Sequence, residues 1–381
     1  MRWCRPSLTT DVIHLDWNAT APLHPAARAA WLAAQDEAWG NPASIHAAGR
    51  SARHHLDQAR SALARVLGAH AHELILTSGG TEALALAIHA ACLQRGGRPR
   101  VVVGATEHSA VLRNAAAWGE PLMVPVDGRG LIDPAALAAA AADAALVAVQ
   151  YANNETGVRQ DLPALIAAVR AAAPGAWFLV DACQGVGKEP LAFSTLGADL
   201  LACAGHKFGA PKGCGILVAR TGLKLAPLIQ GGRQQQDRRS GTEDPAAAAA
   251  LAAALTAAPD EVERQRQGEL LDRAFAAIRS ELQQAVWLGH EAPRLANTLS
   301  LLHPGVANEV LVQRLDLAGF AVSTGSACMA ARGQPSHVVA AMGVPADLAR
   351  SAIRVSIGHT TTDLGSFVAA YVQAVRALAK T

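Results

Sequence analysis

Dense blocks of lysine or arginine are missing from this 381-residue chain, whose formal net charge is only +2. The electrostatic footprint of a dedicated nucleic-acid binder is therefore absent. Six cysteines (Cys4, Cys92, Cys183, Cys203, Cys214 and Cys328) never fall in Cys-x-x-Cys pairs. That argues against a structural zinc site or a disulfide framework and fits a reducing cytosol. No apolar h-region follows Arg2 and Arg5, so no signal peptide is expected. No apolar run approaches the roughly 20 residues of a membrane span. The most suspicious stretch, residues 246–258, is short and mostly alanine. A Walker Gly-Lys-Ser/Thr ending and a Gly-x-Gly-x-x-Gly loop are both missing, which disfavours a nucleotide or dinucleotide site. Internal repeats are absent too. The expectation is a soluble, cytoplasmic protein that touches neither membrane nor nucleic acid.

What is present is a large apolar inventory: hydrophobic residues make up 51% and charged residues 17%. Such a chain is globular, and its length suits two domains. Strand-like runs occur at 73–76, 101–103, 146–149, 178–180 and 216–218, with helical stretches between them. Continuous apolar runs without alternation predict a mostly parallel sheet covered on both faces, an α/β architecture. In such sheets a ligand sits beyond the carboxyl ends of the strands. Thr77-Ser78-Gly79-Gly80, Glu107-His108, Asn153-Asn154-Glu155 and Asp181 all fall just after such runs. The alanine-rich segments 135–145 and 246–258 are expected to be closely packed helices. From 259 onward a charged amphipathic helix (260–284), strands near 298–302 and 353–357, and helices near 308–318 and 363–378 predict a smaller α+β domain.

Two residues fit the needs of one cofactor. Lys207 stands in Ala204-Gly205-His206-Lys207, 26 residues (207 − 181) after Asp181. Pyridoxal phosphate is held as a Schiff base by a lysine, while a carboxylate pairs with its ring nitrogen. On its own such a pair also describes a strand-capping acid and a solvated lysine. Thr77-Ser78-Gly79-Gly80, leading into a helix, offers close backbone approach, hydroxyl donors and a helix N-terminus for a phosphate. An ordinary capped βα turn would look the same.

More motifs in order carry the reading further. Leu15-Asp16-Trp17-Asn18-Ala19-Thr20, Gly40-Asn41-Pro42-Ala43-Ser44-Ile45-His46, Thr77-Ser78-Gly79-Gly80-Thr81-Glu82, Glu107-His108, Asn153-Asn154-Glu155-Thr156-Gly157, Gly205-His206-Lys207, Arg239-Ser240-Gly241-Thr242 and Ser323-Thr324-Gly325-Ser326-Ala327-Cys328 extend over nearly the whole chain. In these the chain resembles the cysteine desulfurases of the class V aminotransferase group, fold-type I pyridoxal-phosphate enzymes. It looks like their long-loop branch, similar to desulfurases serving nitrogenase and iron–sulfur cluster assembly. The resemblance implies a fold-type I transferase: a large domain (16–258) with a mostly parallel seven-stranded sheet, and a small domain (1–15 and 259–381) carrying a mobile loop at about 323–336.

The resemblance also implies roles. Lys207 would form the Schiff base and move the substrate α-proton. Asp181 would hold the ring nitrogen, Gln184 the phenolic oxygen, and His108 would stack on the ring and serve proton transfer. Gly80, Thr81 and His206 would bind phosphate, with Thr242 contributed by the second subunit of a homodimer. Asn154, also beside the cofactor, and Arg354 would take the substrate carboxylate, for which a planar guanidinium is well matched. Cys328 would take sulfur from L-cysteine as a persulfide, leaving alanine, and hand it to an acceptor or scaffold protein. No metal is implied beyond an iron contact at Cys328.

The other cysteines read as structural; for Cys183, beside Gln184, packing is the simpler reading. Some positions depart from the family pattern: Ala204 for a usual serine, Trp17 for a small or amide residue, Gln235 for glutamate, Asp244 for asparagine, and Met329-Ala330-Ala331-Arg332 for a Ser/Thr-rich run. They leave two rivals open beside a plain α/β protein without this cofactor. One is another class V activity, such as a selenocysteine lyase or C–S lyase. The other is a weakly active paralogue acting as a sulfur-transfer scaffold.

Overall fold

The structure is a computed structural model that describes residues 12–325 and 336–379. Strand β1 (Ile13–His14) pairs far along the chain, and the next seven strands form one sheet. They are β2 (Leu74–Thr77), β3 (Arg100–Gly104), β4 (Glu120–Val124), β5 (Leu146–Gln150), β6 (Trp177–Asp181), β7 (Leu200–Ala204) and β8 (Gly215–Ala219). Their order is β2-β8-β7-β6-β5-β3-β4. β8 runs antiparallel to both β2 and β7, while all other neighbours are parallel. Since β2 and β7 both oppose β8, every strand except β8 points the same way. The loops after those strands therefore share one edge of the sheet.

Side chains alternate between faces along a strand, so an unbroken apolar run must feed two cores. Val102, Val147, Phe178, Val180 and Leu201 pack on one face. Val101, Val103, Ala148, Leu179 and Ala202 pack on the other. The first face is covered by α1 (Pro25–Glu37), α2 (Ala47–Leu67), α5 (Pro134–Ala140), α6 (Leu162–Ala172) and α7 (Pro245–Thr256). The second is covered by α3 (Gly80–Arg95) and α4 (Ser109–Trp118). Alanine's small side chain lets α7 lie against both α1 and α2. The helix expected over 135–145 ends early, at Ala140, because Asp143 takes a left-handed φ of 60° and turns the chain into β5.

A second core gathers α8 (Glu261–Glu281), α9 (Asn308–Leu317), α10 (Gly365–Leu378), and a sheet of β9 (Val286–Trp287), β10 (Thr298–Leu302) and β12 (Ile353–Ser356). These strands are antiparallel in the order β12-β10-β9. β1 pairs in parallel with β11 (Phe320–Ala321), and Leu15 is fully buried in this core. Asp16, Trp17 and Asn18 therefore cross from one core towards the other. Among the described residues no helix is long and apolar enough to cross a membrane.

Candidate active site

The ends of five parallel strands, β2, β3, β5, β6 and β7, supply most of the groups, beginning with the β2–α3 turn. Gly79 caps α3 with a φ of 156°, and Gly80 opens the helix. A Cβ on Gly80 would lie 2.5 Å from Cys183 Sγ and 3.3 Å from Ala204 Cβ. Only glycine fits this close packing, and the first N–H groups of a helix have no intrahelical partner, which suits an anion. Thr81 is exposed in the first turn. Glu82 accepts from Ser78 N–H (2.7 Å) and from Arg239 (2.8 Å), tying the 239–242 segment to the same turn. Thr242 is exposed at the end of that segment.

β6 delivers Asp181, whose Oδ1 accepts the N–H of Cys183 at 3.0 Å. β7 leads through one 3-10 turn (Gly205–Lys207) to Lys207. Its amine meets no carboxylate; it donates to the main-chain oxygens of Asn18 (2.7 Å) and Ala19 (2.9 Å). Burial pulls its pKa down, Arg354 adds to that, and Cys183, Asp181 and Asp16 oppose it. His206 is pulled down to about 4 by burial and by its neighbours Lys207 and Lys212. Its Nδ1 lies 3.2 Å from Thr20 Oγ1.

His108 follows β3 and caps α4: its Nδ1 accepts the N–H of Ala110 at 3.1 Å. In the neutral ring the proton then sits on Nε2. Partial enclosure in the cleft pulls its pKa down, helped by Lys207 and His337 and opposed by Asp181. The ring keeps an exposed surface. Glu107, next to it, is fully buried; its Oε1 accepts Gln150 N–H (2.7 Å) and its Oε2 has no partner. Burial, with Asp181 nearby, holds its carboxyl well above the usual range.

Arg354 lies on edge strand β12, yet is only 3% exposed. One nitrogen pairs with Asp16 Oδ1 at 2.6 Å, and another donates to the oxygens of Asn154 (2.9 Å) and Gly325 (3.2 Å). Its Nε has no partner among the described residues. Glu155, buried near Arg354, His337 and Ser336, is raised, with burial as the main cause. Cys328 lies outside the described residues, as does Cys4.

The structure thus gathers Asp181, His108, Lys207 and Arg354 into one electrostatic neighbourhood. It adds two residues that sequence reasoning left without roles. Asn18 accepts at its main-chain oxygen from Gln184 Nε2 (3.0 Å) as well as from Lys207, and its side chain donates to Thr298 Oγ1 (2.9 Å) and Asn154 O (3.2 Å). Lys188 donates to Asn18 Oδ1 and Gln184 Oε1. Asn18 stands in a quoted motif and could have been singled out; Lys188 had no such signal.

Three departures have structural accounts. Gln235 accepts from Leu76 N–H and Arg60 while donating to Glu243, a mixed set that a carboxylate could not satisfy. Asp244 caps α7 through the N–H groups of Ala246 and Ala247. Trp17 packs so tightly on Gly358 that a Cβ there would lie 2.3 Å from the indole.

The pattern of the aminotransferase class V family matches residues 13–364. The chain belongs to that family. Its relatives narrow the group: it is 40% identical to a cysteine desulfurase of Rhodobacter capsulatus over 93% of this chain and 94% of that one. It is 39% identical to an IscS-like cysteine desulfurase of Mycobacterium tuberculosis, over 92% of both chains. Among solved structures, a NifS-like protein superposes with a TM-score of 0.87 at 28% identity, covering 97% of this chain and 99% of that one. The expected architecture, a mostly parallel seven-stranded sheet of the NifS-like kind beside a smaller α+β unit, is what the structure has.

Proposed function

We propose that this chain is a pyridoxal-phosphate-dependent cysteine desulfurase. The observation that carries the reading is Lys207: a lysine amine at a strand end, held by main-chain oxygens alone and in the electrostatic reach of Asp181 and His108. The residues fit the cofactor. Gly80 packs against Cys183 and Ala204, and the α3 N-terminus it opens would cradle phosphate, with Thr81, His206 and a second subunit's Thr242 alongside. Asp181 would face the ring nitrogen, Gln184 the phenolic oxygen and His108 the ring. When bound, the cofactor supplies an electron sink that acidifies the substrate α-carbon.

The protein's own groups divide the remaining work. A depressed pKa leaves more of the Lys207 amine neutral, as a nucleophile and base must be. His108, neutral with its proton on Nε2, can give that proton and take another. Arg354, which pairs with the Asp16 carboxylate, would take the substrate's in its place. Asn154, whose oxygen Arg354 holds, stands beside it. Cys328 would receive the sulfur. In balance, L-cysteine and the Cys328 thiol give L-alanine and a Cys328 persulfide: the C–S bond breaks, an S–S bond forms, and one thiol proton ends on carbon.

We assign residues 16–258 to the cofactor-holding unit, and 1–15 with 259–381 to the unit carrying the Cys328 loop. A homodimer would cover Trp39 (74% exposed) and Ile45 (90% exposed), apolar residues flanking Gly40-Asn41-Pro42. A cytoplasmic sulfur-acceptor or scaffold protein would take the sulfur onward, in iron–sulfur assembly or a related transfer. The test is to mix the protein with L-cysteine and a reductant and measure alanine and sulfide together. Equal amounts, lost in Cys328→Ala, support the reading; pyruvate and ammonia instead would make it a C–S lyase.

A further inference from the structure

The proposed reaction gives Lys188 no part, yet its amine sits within the site. It follows Asp181 by seven residues (188 − 181) in the turn after β6. The residue as a whole keeps some exposure, but its amine end lies among protein groups. Nζ donates to Asn18 Oδ1 at 2.6 Å and to Gln184 Oε1 at 2.5 Å. No carboxylate pairs with it. Burial, with the like charges of Lys207 and Arg354, pulls its pKa well down.

Two amide oxygens converging on one donor decide which way both amides face. With its oxygen on Lys188, Gln184 must turn its NH2 group away. One of those N–H bonds goes to the main-chain oxygen of Asn18 (3.0 Å), leaving the second for a bound acceptor. Asn18, whose oxygen accepts from Lys188 and from Asn297 Nδ2 (3.2 Å), turns its own NH2 to Thr298 and Asn154, which anchors the main-chain oxygen that Lys207 uses. Lys188 thereby reaches Lys207 by two routes, each passing through Asn18.

We propose that Lys188 is a positioning residue: it locks the amides of Gln184 and Asn18 so that a Gln184 N–H faces the cofactor's phenolic oxygen and the Asn18 carbonyl faces Lys207. This deepens the pyridoxal-phosphate reading and rests on it. A lysine that merely filled space would have no influence on the cofactor's electronic state.

The experiment titrates pyridoxal phosphate into cofactor-stripped wild type, Lys188→Met, Gln184→Ala and the double variant. It follows the dissociation constant and the absorption band of the bound cofactor, with circular dichroism and thermal midpoint as checks on folding. Loss of one charge-assisted hydrogen bond should weaken binding about tenfold and displace the band in Lys188→Met. The double variant should lose less than the product of the two single losses, because only Asn18, whose oxygen Asn297 Nδ2 also holds at 3.2 Å, is then left for the lysine to orient. Lys188→Arg, which keeps a donor, should recover the wild-type band. Should Lys188→Met fail to fold, Lys188→Leu, which also lacks a donor, carries the same expectation. An unchanged band and affinity in the lysine variant, or losses that multiply in the double variant, overturn the proposal. Wild type that binds no cofactor overturns the functional reading first, and this inference with it.

Discussion

The two ends of the seven-stranded sheet treat charge in opposite ways. At the end where β2 and β7 begin, Asp199 is fully buried and accepts Phe178 N–H (2.7 Å) and Arg170 (2.6 Å). Arg220 adds an ion pair at 2.6 Å, though without hydrogen-bond alignment. Glu73 accepts from His70 N–H (2.9 Å) and twice from Thr221 (2.8 Å). At the opposite end Lys207 and Lys188 donate only to neutral oxygens, Arg354 Nε and Glu107 Oε2 have no partner among the described residues, and Glu107 sits near the like-charged Asp181. A buried polar group left unpaired costs about 1–3 kcal/mol. One end spends its polar groups on holding the fold together; the other keeps them available for something that binds.

The sharpest way to break that contrast is to remove a charge from each end. Lys207→Ala should abolish turnover and the cofactor's absorption band, while the thermal midpoint stays level or rises, because an amine held by neutral oxygens gives the fold little. Asp199→Ala should do the reverse. Losing a buried acid shared by two arginines and an N–H should cost about 3 kcal/mol in urea unfolding. Turnover per folded molecule should stay near wild type. A large loss of stability in Lys207→Ala would sink the comparison.

The comparison also explains what could be read in advance. β3, β5, β6 and β8 were legible because each is an apolar run buried on both faces. β4 was not, since this edge strand is mostly exposed and contains Pro121, which only an edge tolerates. β7 hides in the small residues Ala202-Cys203-Ala204, whose burial reflects the helices above them rather than their own hydrophobicity. Asp181, His108, Lys207 and Arg354 could be named from motifs. Lys188 could not, because its acceptors come from residues 170 and 4 positions away and meet only in three dimensions.

Glu107→Gln probes the strained end through pH. Burial and Asp181 raise the folded-state pKa well above the ordinary 4.5. For such an acid, the stabilising contribution is full below 4.5 and is lost as pH rises through the raised folded value. The amide keeps the acceptor for Gln150 N–H and cannot ionise. The variant and wild type should therefore melt alike at low pH, with the variant pulling ahead as pH rises. Melting curves that stay parallel from acid to alkali would mean Glu107 carries no such strain.

Glu73→Gln is the smallest expected effect and the mirror image. Its carboxyl lies below the ordinary 4.5, because the hydrogen bonds from His70 and Thr221 together outweigh burial, the largest single influence, which raises it. A depressed acid contributes stability above its unfolded pKa and loses it as pH falls through the folded value. The substitution keeps an acceptor oxygen but not the charge, so it should cost about 1 kcal/mol at neutral pH, the usual worth of a capping interaction. That deficit should fade as the pH drops below the depressed value, where wild type is itself protonated. Urea midpoints at neutral and acid pH decide it: a constant difference would mean the charge of Glu73 adds nothing, and the well-satisfied end of the sheet would owe its stability to hydrogen bonds alone.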